Sequence, residues 1–112
     1  MALGAPVRLA DGGTTPVYAE PLASEVITWP TATNPPFLLL HVKNGNAAEC
    51  TVTVTSQAAA GDGLVPADRV VEVPLTTGDR FIRIGQAFRS GDGEVAVAFS
   101  QQTDVSALVL YP

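Results

Sequence analysis

Charge is scarce in this chain, and so are the residues that most chemistry needs. Charged side chains make up only 15% of the 112 residues, and there is one cysteine, one histidine and one tryptophan. A soluble domain of this size normally carries more charge to discourage association, so a partner is expected to cover part of the outer surface. The six basic residues, Arg8, Lys43, Arg69, Arg80, Arg83 and Arg89, form no stripe, and the net charge is −5. Repulsion from phosphates opposes direct nucleic-acid recognition. The single cysteine, Cys50, excludes an internal disulfide, and its place in an alternating run predicts a half-buried thiol. No hydrophobic run approaches bilayer length, which argues against a membrane partner. Residues Met1 to Leu9 lack the charged start and continuous apolar stretch of a signal peptide, so a cytosolic protein is expected.

A long helix is missing too. From Phe37 to Tyr111 the sequence is a relay of short apolar runs, FLLLHVKN, ECTVTVTSQ, DRVVEVPL, DRFIRIGQ, EVAVAFS and DVSALVLY, cut by NGN, AAAGDG, TTGD, SGDG and QQT. Period two dominates these runs. In Thr51-Val52-Thr53-Val54-Thr55 the valines take one face and the threonines the other, as in a half-buried antiparallel strand. Val95, Val97 and Phe99 oppose Ala96 and Ala98, which predicts a nearly flat second face with another layer close to it. Val105, Ala107 and Val109 oppose Ser106, Leu108 and Leu110, a strand covered on both sides. Only Gln57 to Ala60 has helical composition, and Gly61 cuts it. The expected fold is all-β: one small antiparallel β-sandwich or flattened barrel, its strands joined mostly by hairpins. One core suffices, since folding a chain of this length buries roughly two-thirds of its extended surface.

Residues 1–35 differ in character from the body, 36–112. Pro6, Pro16, Pro21, Pro30 and Pro35 fall in the first segment with Asp11-Gly12-Gly13, and Pro36 opens the second. Proline lacks an amide donor and fixes φ, so this stretch predicts an extended arm with edge strands. Its best extended pieces are Pro16-Val17-Tyr18-Ala19 and Glu25-Val26-Ile27-Thr28-Trp29. Tyr18 and Trp29 serve there either as staples onto the chain's own core or as plugs into a neighbour, and the proline-rich surroundings favour the plug.

The motifs that hint at chemistry have structural readings beside them. Gly61-Asp62-Gly63 and Gly91-Asp92-Gly93-Glu94 place acids beside glycines, but neither has the alternating acids and distal glutamate of a calcium loop, and Asp-Gly is the usual tight turn. Gly61 and Gly63 form no phosphate loop, since no GK[ST] or third glycine opens a helix after a strand. His41 is the one possible imidazole base, and it has no acid beside it in sequence. A partly exposed or interface position is the ordinary outcome for such a histidine, and pairing with Cys50 as a nucleophile is the catalytic one. In Asp79-Arg80-Phe81-Ile82-Arg83, Arg80 and Ile82 share one face and Phe81 and Arg83 the other, with Arg89 following. These arginines either grip a partner's carboxylates or pair with Asp79, Asp92 or Glu94.

Three stretches, LLLHVKNGNAAECTVTVTSQ, VPLTTGDRFIRIGQAFRSGDGEVAVAFS and DVSALVLYP, succeed one another as an opening strand with an Asn-Gly turn, a TVTVTS strand, a Val-Pro strand, an aromatic strand, a Gly-Asp-Gly hairpin and a closing apolar strand. In this pattern the segment Leu38 to Leu110, about two-thirds of the chain, resembles a family of small virion proteins of tailed bacteriophages, the capsid decoration or minor capsid proteins. It departs from the family at Ala58 to Gly63, where members often have an acid followed by Gly-Arg. The resemblance implies a non-enzymatic β-sandwich with no catalytic, cofactor-binding or metal-binding residues. It also implies attachment to the major capsid protein on the head exterior after assembly in the host cytoplasm, as a homotrimer at local threefold positions or another homo-oligomer. Docking is then expected on Val7, Leu9, Val17, Tyr18 and Trp29, with Arg80, Arg83 and Arg89 as polar partners. The rival expectations are a neck or head-tail connector, a tail component, and a carbohydrate-binding module.

Overall fold

Alternation of apolar and polar side chains builds two four-stranded sheets that bury their apolar faces against each other. The computed structural model describes residues 3, 5–56 and 67–112. Within them run eight strands: β1 Val7–Arg8, β2 Ser24–Thr28, β3 Phe37–Asn44, β4 Cys50–Val54, β5 Arg69–Val73, β6 Gly78–Gly85, β7 Glu94–Phe99 and β8 Val105–Tyr111. The first sheet has the order β1-β8-β3-β6 and the second β2-β7-β4-β5. The fold is an all-β sandwich. Every ladder is antiparallel except the two-residue pairing of β1 with β8.

The expectation of hairpins is corrected. Among the described residues only β4 and β5 are both consecutive and hydrogen-bonded to each other; the other links from β2 onward cross from one sheet to the other. The segment Gly91 to Gly93 is one such crossing. It turns tightly, with Gly93 at φ 78° donating to the Ser90 carbonyl, but it leads from the first sheet to the second. A 3-10 turn at Gln86–Phe88, absent from the sequence reading, precedes it. The stretch Gln57 to Ala60 and the Gly61-Asp62-Gly63 loop lie outside the described residues.

The core takes the inward residue of each pair. Leu38, Leu40 and Val42 of β3, Ile82 and Ile84 of β6, and Val105, Ala107 and Val109 of β8 meet Ile27, Val52, Val54, Val73, Val95, Val97 and Phe99 from the second sheet. At roughly 1.5–3 kcal/mol for each fully buried aliphatic side chain, this layer supplies the dominant favourable term for folding. Cys50 is fully buried rather than half-buried, and its thiol reaches the Gln101 carbonyl at 3.5 Å. Asn44 closes one end of the sandwich. Its amide donates to the carbonyls of Ala48 and Val73, and its oxygen accepts from the Asn46 amide.

The proline-rich segment lies on the body and supplies an edge strand to each sheet. β2 pairs with β7 over five residues, and Ala19 forms an isolated bridge with Ala107. Glu25 points inward from β2 and is 1% exposed; its carboxylate accepts from the Leu22 amide at 2.7 Å. Trp29 is fully buried, with its indole N–H donating to the Pro35 carbonyl at 3.2 Å. It is a staple onto its own core, which corrects its assignment as a plug for a neighbour.

Candidate functional site

The outward residues of the two sheets make two very different surfaces. On the first sheet, Leu39, His41 and Lys43 of β3 stand between Ser106, Leu108 and Leu110 of β8 and Asp79, Phe81 and Arg83 of β6. Register sets His41 directly opposite Phe81 on one side and Leu108 on the other. The bridge from Ala19 to Ala107 turns Ala19 toward the core and so turns Tyr18 outward, over the face beside Leu108.

These elements converge on one imidazole. The Tyr18 hydroxyl lies 2.6 Å from His41 Nδ1, and His41 Nε2 bonds Asp79 Oδ1. A carboxylate can only accept, so in the neutral ring Nε2 carries the proton and donates to Asp79, which leaves Nδ1 to accept from Tyr18. Phe81 stacks on the ring at 4.0 Å between centroids, and Tyr18 meets it edge-on at 5.3 Å. Lys43 Nζ lies 4.4 Å from the centre of the Tyr18 ring. His41 is consequently 6% exposed on what is nominally an outer face, and Leu108 beneath Tyr18 is 5% exposed. This corrects the expectation of a partly exposed histidine.

Tyrosine, histidine and aspartate in line have the order of a catalytic triad, but both ring nitrogens are engaged within the protein. The cluster acts as a clasp that pins residues 17–20 across β8. An open depression of about 420 Å³ beside it is lined by Lys43, Asn44, Asp79, Asp104 and Ser106 among others. Cys50 faces the core from the second sheet and makes no contact with His41, so the His41–Cys50 pairing is overturned.

Among the described residues the second sheet's outer face is bare. Ser24, Val26 and Thr28 of β2, Ala96 and Ala98 of β7, Thr53 of β4 and Val70 of β5 line it, with Glu72 and Glu94 at its corners. Val26 is 43% and Val70 59% exposed. The second layer expected over Ala96 and Ala98 is absent among the described residues; the other sheet packs against the opposite face, on Val95, Val97 and Phe99.

The other candidate residues scatter. Val7 pairs beside Leu110, while Leu9 and Val17 stand exposed. Arg83 lies over the Phe37 ring and Arg89 over the Trp29 ring. Arg80 reaches the Asp79 carbonyl and Arg89 the Asn34 side chain. Among the described residues none of the three pairs with a carboxylate. Sequence reasoning missed Asp79 and Phe81 as partners of His41. Their alternation with Arg80 and Ile82 was readable, but the pairing of β3 with β6 across 33 intervening residues was not.

Fold and site together define a two-sheet β-sandwich with one clasped and one bare outer face. No family model, no curated protein and no solved structure matches the chain.

Proposed function

We propose that this protein is a non-enzymatic virion structural protein of a tailed bacteriophage, a capsid decoration protein that binds the outside of the major capsid shell and stabilises the head. The observation behind this reading is the bare face of the second sheet. Between Glu72 and Glu94 at its corners it is built from alanine, threonine, serine and valine, so its centre can lie against another protein surface without desolvating ions. Such a face is well suited to adding contact area. A standard interface buries around 1,600 Å², and repetition over many sites on a shell resists outward pressure without any single strong contact. The resemblance of Leu38 to Leu110 to capsid decoration proteins is the support for the major capsid protein as partner. The closed environment of His41 supports a protein that works by contact. Leu9 and Val17 are exposed beside β8 of the first sheet and so stand apart from the bare face, and Trp29 is buried.

The test is binding of the purified protein to empty expanded heads. Saturable binding that is lost in Ala98→Arg is expected, and absence of binding at every salt concentration would reject the proposal. Copy number in purified virions separates decoration, which needs hundreds, from a neck or tail ring.

A further inference from the structure

The edge of β6 that faces away from β3 has no strand on it among the described residues. Antiparallel ladders send the backbone groups of alternate residues to opposite edges. Ala107 exchanges both backbone bonds with Ala19, so it points away from β3, and Leu108 therefore points toward it. Following the register across, His41 bonds toward β8 and Leu40 toward Ile82. The backbone groups of Asp79, Phe81 and Arg83 are thus the ones directed outward. Their side chains all stand on the outer face as well. Phe81 is 62% exposed, and Asp79 is 54% exposed with Oδ2 unbonded because His41 takes Oδ1.

That edge is complementary to itself. A second copy laid antiparallel with the two Phe81 residues opposite each other puts Asp79 opposite the second copy's Arg83, and Arg83 opposite its Asp79. All these are hydrogen-bonded positions on one face, where cross-strand pairs interact directly. Oppositely charged side chains flank an aromatic pair twice over, once on each side of a twofold axis. An acidic strand from another protein would satisfy Arg83 but confront Asp79, whereas a second copy satisfies both signs. Two guanidinium groups already touch this edge: Arg69 reaches the Arg83 carbonyl at 2.8 Å and Arg80 the Asp79 carbonyl at 3.3 Å. Arg69 comes from the second sheet and Arg80 from an inward position on β6, so both approach from the core side. Each carbonyl has a second lone pair for an in-plane donor.

We infer that the open edge of β6 is a self-pairing site, through which two copies join their first sheets into one continuous sheet centred on Phe81. This is a twofold dimer, not the threefold trimer that the family resemblance implies. It stands apart from the head-binding proposal because it is measured on the free chain, and either can fail alone.

Sedimentation equilibrium of the full chain from micromolar to millimolar concentration tests it. The wild type dimerises; Arg83→Asp, which sets like charges opposite each other twice, weakens the dimer at least about tenfold. Phe81→Glu abolishes it. Combining Asp79→Arg with Arg83→Asp restores dimerisation. Asp79→Arg also removes the carboxylate on His41, so amide exchange on the wild type provides a test without substitution: protection of the Phe81 amide rises with protein concentration. A monomer at all concentrations overturns the inference. So does a dimer or trimer indifferent to Arg83→Asp and Phe81→Glu, or a Phe81 amide whose exchange ignores concentration.

Discussion

The outer faces of the two sheets arise from the same alternating pattern and end in opposite states. On the first, a polar ring, an acid and a phenol sit where solvent should be, and each finds its partner within the chain. On the second, small uncharged side chains stand in the same structural positions, and no described residue lies over them. A strand's alternation decides only which side chains leave the core. Whether the outward set is then buried depends on what else the chain can lay across it, and here residues 17–20 reach one sheet's face, not the other's. The clasped face contributes to folding stability, and the second sheet's outer face has no comparable clasp among the described residues.

Five substitutions break or sharpen this contrast. Gly78→Ala removes both faces at once, because a Cβ there would lie 1.9 Å from the Pro74 carbonyl oxygen and 2.8 Å from Val73 Cγ1. Backbone crowded against backbone has no cheap relief, so a loss on the order of 4 kcal/mol is expected in urea denaturation. His41→Ala removes the centre of the clasp and should cost about 2–3 kcal/mol, whereas Thr53→Ala on the other face should change stability by less than about 0.5 kcal/mol. Equal losses from these two would erase the distinction between the faces.

Tyr18→Phe keeps the ring over Leu108 and deletes one hydrogen bond, so about 1 kcal/mol is expected. Its signature is local. Exchange of the Ala19 and Ala107 amides should rise, while that of the β4–β7 ladder stays unchanged. Smallest in stability is Ala98→Arg, expected within about 0.5 kcal/mol of wild type because the position is exposed on an open face. Normal thermal melting with lost head binding assigns recognition to the second sheet; normal binding removes that face from the proposed interface.

Much of this architecture is legible in the residues. The six runs from Phe37 onward became β3 to β8, because period two expresses a local rule about side-chain direction that needs no partner. Glu25 to Thr28 was readable as extended for the same reason. Pairing was not readable. β3 bonds to β6 and β8, and β7 to β2 and β4, and these neighbours are chosen by how the two sheets close over one core rather than by any turn sequence. Trp29 shows the limit well: proline-rich surroundings suggested an aromatic offered to a neighbour, yet the sandwich had an interior place for it and a carbonyl at Pro35 for its N–H.

The amino-acid order by itself determined that the chain is made of short strands, which side of each strand is apolar, and that charge is sparse in the chain as a whole. Only the tertiary structure decided that His41 meets Tyr18 and Asp79, that Cys50 stays apart from it, and that Ala96 and Ala98 look outward. The reason is range. Alternation and turn chemistry act between neighbouring residues, while the clasp joins positions 18, 41 and 79, which become neighbours only after two sheets have packed and their register is set.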